Sequence, residues 1–358
     1  MMKMRNLSTL IIHTLLACLP SLAVGETFSV ATLNVDGLPL QVMSVDVNPD
    51  GPGSDGTKLI SQYLAAKNYD MVFFQEDFNY HDELTTSLAD GYTFDVHSGD
   101  ISIDPDNFDM SMLLTIRFEC DGLGACLKNK HALNSMQRTA WTDYYGRLDH
   151  AWDGIVTKGF RRYEVTLHEG TQIVVYNMHM DASDASDEAS GNDEGDRLAR
   201  QSQWTQLVNE LKDHLDDDRP IIVLGDMNSY YSRDNIEEVF VLPIEATGKA
   251  TVTDVWKEMG SDSETLDKIF CINPVNGVKL QPTAFSIDKD GYHDGGKPLG
   301  DHYPLAATFE VKDSKTLTIL PPEDIHNHET TYFSITGQRI AHPRKGLYIS
   351  KGRKIMIK

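Results

Sequence analysis

Six times along this chain a short β-forming run stops at, or starts from, a polar residue. Asn34 follows VATL, Gln75-Glu76 follows MVFF, and Asn177-x-His179 follows IVVY. Asp226-x-Asn228 follows IIVLG, Asp267 precedes Ile269-Phe270, and Asp301-His302 precedes Pro304-Leu305. Strands are expected over Phe28–Leu33, Tyr69–Gln75, Arg219–Leu224 and Thr308–Val311, with a hairpin from Tyr163–Leu167 and Gln172–Asn177. Between them lie helical patterns. Leu59, Ile60, Tyr63 and Leu64 share one face of Thr57–Lys67, and Arg197–Leu215 is amphipathic. Strands and helices interleaved in this way predict an α/β chain with sheets flanked by helices.

Taken singly, a strand-terminal Asp is usually a turn former, and a lone histidine is usually a core or surface residue. Six such positions at strand ends are where a rigid α/β scaffold converges side chains from distant parts of a chain. The residue types also suit one chemistry. Glu76, Asn34 and Asp301 offer hard oxygen ligands of the kind Mg²⁺ prefers. His179 and His302 can move protons, and Asn228 can donate to an oxyanion. That set fits metal-assisted hydrolysis of a phosphate ester.

Charge narrows the substrate. The 358 residues carry 32 Lys+Arg against 54 Asp+Glu, a formal charge of −22. A broad grip on a polyanion needs Lys and Arg to displace counterions, so extended nucleic-acid binding is not expected. A bound cation meeting a single phosphate remains open.

The two ends read differently from the middle. Lys3 and Arg5, the apolar run Leu7–Leu19 and the small residues of Ala23-Val24-Gly25 predict a signal peptide over 1–25 and export. The run stops at Pro20, short of a membrane span. Leu15-Leu16-Ala17-Cys18 resembles a loose lipoprotein box, which leaves lipid attachment at Cys18 open. After Lys312, Pro321-Pro322 and a His-rich patch suggest a linker. The basic, strand-like remainder reads either as a β-rich sorting or attachment module over 313–358 or as an extra hairpin of the catalytic unit over 26–312. Cys120 and Cys126 flank a short glycine-containing loop; spacing alone leaves a bridge between them open. No CxxC pair and no grouping of histidines suggests a zinc site. The run from Asp181 to Asp196 carries seven acidic residues and no basic one, read as a solvated loop in preference to a calcium site.

Six blocks in this order, TLNVDG, FFQEDF, VVYNMHMDA, VLGDMN, LDKIF and GDHYPL, resemble the endonuclease/exonuclease/phosphatase superfamily. The resemblance spans Thr27 to Val311. It implies a four-layer α/β/β/α sandwich of two mixed sheets, with the site at one end. It implies Glu76 as principal metal ligand for Mg²⁺, Mn²⁺ or another divalent cation, supported by Asn34 and Asp301. His302 would be the general base, with Asp267 holding its tautomer. His179 and Asn228 would contact the non-bridging phosphate oxygens, and Asp226 would organise nucleophile or leaving group beside them. Where the family usually has Ser before Asp-His, this chain has Gly300.

Within that superfamily, Asp153-Gly-Ile-Val-Thr-Lys158-Gly159 resembles the Asp…Lys-Gly motif of secreted sphingomyelinases, where both side chains help assemble the substrate site; the alternative is a β-turn with a surface lysine. The helix opening Arg197-x-x-x-Gln201 points the same way. Lys158–Arg162 (KGFRR) is the densest cationic spot, enough to neutralise one phosphate. The aromatic stretch Trp141–Trp152 would either dip into a lipid interface or pack under a loop. The leading expectation is a secreted metal-dependent phosphodiesterase acting on sphingomyelin-type phospholipids at a membrane surface. An exported nuclease or other phosphoesterase of the superfamily, and a non-enzymatic surface-binding module, stand as alternatives.

Overall fold

Apolar side chains on both faces of the central strands require a cover on each side, and the fold provides it with two sheets and two helical layers. A computed structural model describes residues 25–312, except 43–44, 105, 107–108, 110, 113–114, 148 and 263, together with 332–334, 339–340, 343–350 and 353–357. The expected leader with Cys18, Gly25 apart, and the expected linker from 313 to 331 lie outside the described residues.

In chain order the main elements are β1 (Thr27–Asn34), α1 (Gly53–Lys67), β2 (Met71–Gln75), α2 (His81–Thr85), β3 (Tyr92–Phe94), β4 (Gly124–Lys128), β5 (Ala132–Ala140), β6 (Gly159–Thr166), β7 (Gln172–His179), α3 (Ala185–Ser190), α4 (Glu194–His214), β8 (Ile221–Asp226), β9 (Ala250–Asp254), β10 (Asp267–Pro274), β11 (Lys279–Ile287) and β12 (Leu305–Lys312). One sheet has the order β11-β12-β1-β2-β4-β3 and the other β9-β10-β8-β7-β6-β5. Each is mixed. Its one parallel pair, β1 with β2 and β7 with β8, is joined through a long helix, α1 or α4. A parallel pair needs such a crossover, whereas the antiparallel neighbours need only turns.

Period-two alternation sorts the side chains into layers. Phe28, Val30, Met71 and Phe73 of the first sheet meet Tyr163, Val175, Ile222 and Leu224 of the second in the central core. Ala31, Leu33, Val72 and Phe74 turn the other way, onto Ile60 and Leu64 of α1. On the far side Val174, Tyr176, Val223 and Phe270 receive Trp204, Leu207 and Leu211 of α4. Burying each such side chain contributes about 1.5–3 kcal/mol, against a few tenths per residue from helix propensity. Packing therefore holds α4, whose other faces are polar. The structure has the expected four-layer α/β/β/α sandwich.

Several details depart from the sequence reading. Helix α1 starts at Gly53, a turn before the apolar spacing begins, with Pro52 at its N-cap. Cys120 and Cys126 are buried free thiols, not a bridge. The acidic run is not a solvated loop throughout: it forms α3 in the middle, and Asp181 and Asp196 at its ends are both 0% exposed. Beyond the sandwich, 332–333, 339–340, 346–350 and 353–357 pair with one another in a separate four-stranded sheet, in keeping with a β-rich C-terminal module.

Candidate active site

Strand register brings the polar residues to one end of the sandwich. Asn34 is opposite Gln75 across β1 and β2. Asp226 is opposite His179 on one side and Asp267 on the other. Strand β12 pairs Leu305 with Thr32, so Asp301 and His302, just before it, arrive at the same edge. Glu76 leaves β2 with a left-handed backbone, φ 56°, and its carbonyl accepts N–H groups from Gly37 (3.1 Å) and Phe78 (2.8 Å). A Cβ at position 37 would stand 2.3 Å from that carbonyl oxygen, so only glycine permits the approach that aims Glu76 into the site.

Asn34 ties the two sheets together at this edge. Its Nδ2 donates to Glu76 Oε1 (2.9 Å) and to Asp226 Oδ2 (3.1 Å), while its Oδ1 accepts the Asp36 N–H (3.0 Å). Asp226 is the hub of the second sheet's contribution. His179 Nε2 and His302 Nε2 each stand 3.6 Å from its Oδ2, and its Oδ1 accepts the Asn228 N–H at 3.0 Å. His302 Nδ1 lies 2.7 Å from Asp267 Oδ2. Asn228 Nδ2 donates to Met180 O at 3.1 Å. The ten residues expected from the sequence fall into two groups. Asn34, Glu76, His179, Asp226, Asn228, Asp267, Asp301 and His302 share the strand-end site. Asp153 and Lys158 form an ion pair beside it, with Lys158 Nζ 3.4 Å from Met180 O.

The electrostatics divide the histidines. Burial, then the Lys158 cation, pushes His179 well below its ordinary value, so its imidazole is neutral. Burial opposes the charge of His302, but Asp267, Asp226 and Asp301 outweigh it and raise His302 well above the usual value. Burial also raises Glu76, with Asp301 adding to it and Lys158 opposing. Asp36 is pushed up to about 7 by burial and by the charges of Asp301 and Glu76. With Asp301 raising both Glu76 and Asp36, and Glu76 raising Asp36, these three carboxylates form a group short of positive charge. Their hard oxygens match the donor set of Mg²⁺ or Mn²⁺, so the residues present fit a divalent cation.

Two features escaped the sequence reading. Asp36 joins the carboxylate cluster; the signal was its place in TLNVDG, two residues after Asn34, where it reads as a turn former. Gln75 and Asn177 are not site residues but a staple beneath it. Gln75 Nε2 donates to Asn177 Oδ1 (2.6 Å), and Asn177 Nδ2 donates to the carbonyls of Phe74 and Gly124 across the sandwich. The KGFRR cations are mostly spoken for. Arg161, 1% exposed, is held by Asp95 and Asp121, and Arg162 by Glu164; only Lys158 acts on the site. In the aromatic loop Trp141 is packed, its Nε1 donating to His179 O at 2.7 Å, whereas Tyr144 and Tyr145 are 41% and 44% exposed.

Residues 31–238 match the model of the endonuclease/exonuclease/phosphatase family. Among solved structures the chain is similar to D. rerio TDP2 humanized by 14 mutations, at 18% identity and TM-score 0.55 over 79% of this chain and 99% of that one. It is similar to a beta toxin mutant from Staphylococcus aureus with bound magnesium ions, at 16% identity and TM-score 0.52 over 79% and 99%. An endonuclease/exonuclease/phosphatase family protein from Bacteroides thetaiotaomicron gives 14% identity and TM-score 0.55 over 81% and 97%. At these identities the likeness is one of fold. No curated protein matches the sequence.

Proposed function

Because the chain belongs to the endonuclease/exonuclease/phosphatase family, whose members are metal-dependent phosphoesterases, we propose that it is an exported phosphodiesterase. It hydrolyses sphingomyelin-type phospholipids at a membrane surface to ceramide and a phosphorylated head group. Mg²⁺ or Mn²⁺ held by Glu76, with Asp301 and Asn34, would supply Lewis-acid polarisation of the phosphate. The chain's own groups do the rest. His302 keeps Nδ1–H on Asp267 and takes the proton of the attacking water at Nε2. It acts as a base once the negative field of Asp267, Asp226 and Asp301 is offset. Neutral His179 donates to a non-bridging oxygen without adding charge, and the second N–H of the Asn228 amide joins it. Asp226, between the two imidazoles, orders nucleophile and leaving group.

One observation carries the choice of substrate. Of the three cations in KGFRR, Lys158 alone acts on the site, held there by Asp153, while Arg161 and Arg162 are committed to carboxylates. A chain at −22 with one cation of this cluster acting on the site suits a single phosphodiester in a zwitterionic head group better than a nucleic-acid backbone. The exposed Tyr144 and Tyr145 suit a lipid interface. Incubation with sphingomyelin vesicles and, separately, plasmid DNA tests the reading. The expected result is release of phosphorylated head group that stops in EDTA. Nicked plasmid with intact lipid replaces it with a nuclease.

A further inference from the structure

Next to Glu76 in the chain, Asp77 meets two histidines. His81 opens α2 one helical turn later, and its Nδ1 lies 2.6 Å from Asp77 Oδ2. His97, from the segment after β3, places its Nδ1 3.8 Å from the same oxygen. The two imidazoles stack at a centroid distance of 4.3 Å, with 21° between their planes, so both Nδ1 atoms face one carboxylate. The three ligand atoms lie within 4.8 Å of one another. The sequence reading saw no such histidine grouping, because the second histidine comes from a different element.

We propose that Asp77 Oδ2, His81 Nδ1 and His97 Nδ1 form a site for a borderline divalent transition-metal ion, Zn²⁺ by chemistry, distinct from the oxygen-rich strand-end site. Two observations beyond proximity support it. First, His97 Nδ1 is buried and has no hydrogen-bond partner, whereas its Nε2 lies 3.0 Å from Asp100 Oδ1. A carboxylate on the far nitrogen is the arrangement that fixes a ligating histidine's tautomer and turns the bare lone pair toward a metal. Second, the spacing suits an ion. A tetrahedral centre with bonds of about 2.0–2.1 Å holds its ligand atoms about 3.4 Å apart; His97 Nδ1 stands near that distance from Asp77 Oδ2, at 3.8 Å, and an ion would replace the 2.6 Å hydrogen bond that His81 Nδ1 now makes to it.

Nitrogen donors separate this site from the first by metal type. Two imidazoles and one carboxylate favour Zn²⁺ and its neighbours, while an all-oxygen set favours Mg²⁺. Asp77 is 2% exposed and the histidines 19–21%, which leaves solvent access for a water as fourth ligand. The ion would also bind a turn to a loop. The Asp77 N–H donates to Gly122 O at 2.8 Å, and a Cβ at Gly124 would stand 3.2 Å from Asp77 Oδ2. Holding Asp77 to His97 thus clamps the segment that presents Glu76.

Zn²⁺ and Co²⁺ titrations of the chelator-stripped full-length protein test this, read as bound equivalents and as the visible d–d absorption of Co²⁺. Asp226, Asp267 and His302 also converge, so the reference is the Asp226→Asn/His302→Ala double variant, which disables that cluster. The reference is expected to retain one equivalent of Zn²⁺ and the Co²⁺ spectrum. Adding His81→Gln or His97→Gln removes both while far-UV circular dichroism stays native. Asp100→Asn keeps the stoichiometry but weakens Zn²⁺ affinity about 10–100-fold, which a purely structural hydrogen bond would not do. No bound equivalent in the reference, or unchanged affinity in His97→Gln and Asp100→Asn, overturns the proposal.

Discussion

His302 and Glu76 divide the proposed chemistry between them. His302 is oriented through one nitrogen and active through the other, so its removal deletes the base while leaving the strand ends in place. His302→Ala is expected to lower kcat by about 10²–10⁴-fold with a native far-UV spectrum; turnover at the wild-type rate would reject its role. Glu76→Gln keeps the shape and removes one charge from a carboxylate cluster already short of positive charge. The Mg²⁺ concentration for half-maximal activity should rise and the maximal rate fall, both read from one metal titration. These residues were legible in the sequence because each sits where an apolar run breaks. Asp36 was not, because an Asp in a turn has a sufficient local explanation, and only the fold reveals Asp301 and Glu76 facing it.

Strands β2 and β7 belong to different sheets, and the staple between Gln75 and Asn177 fixes how their ends are aligned. Asn177 is 0% exposed, so Asn177→Ala leaves Gln75 and two carbonyls without their donor or acceptor. A cost of about 1–3 kcal/mol is expected, because buried polar groups left unpaired lose their full desolvation energy. Urea unfolding measures it as a lowered midpoint at unchanged slope. Periodicity made β1, α1, β2, β6, β7, α4, β8 and β12 legible, whereas β3, β4, β5, β9 and β11 and the short helices α2 and α3 were not read from it. What periodicity missed were groupings across elements. His97 reaches Asp77 only after β3 has turned back, and Asp181 is drawn inside where the Tyr145 N–H meets its Oδ2 at 2.7 Å.

Across the molecule the excess of acid has a consequence for pH. Burial raises Asp36 to about 7, with Asp301 and Glu76 adding to it, and raises Asp181 to about 8, with Asp153 adding, both from 3.8. The folded chain holds protons that the unfolded chain has released. This stabilisation is complete below about pH 4 and is lost as pH rises through 7–8. His302, also raised, changes in the same direction above its ordinary value. Carboxylates lowered by folding, such as Asp226, are already ionised at pH 5. The metal-free protein should therefore melt at progressively lower temperature from pH 5 to pH 8, and Mg²⁺ should recover part of the loss at pH 8. A melting temperature that is flat or rises over that range would contradict the assignment.

Strand β1 finds its antiparallel neighbour β12, Leu305–Lys312, only at the far end of the sandwich's sequence. The first sheet therefore lacks β11 and β12 until the last strands of the sandwich have been made, while the second sheet, contained within 132–274, can assemble earlier. Contacts so distant along the chain close late.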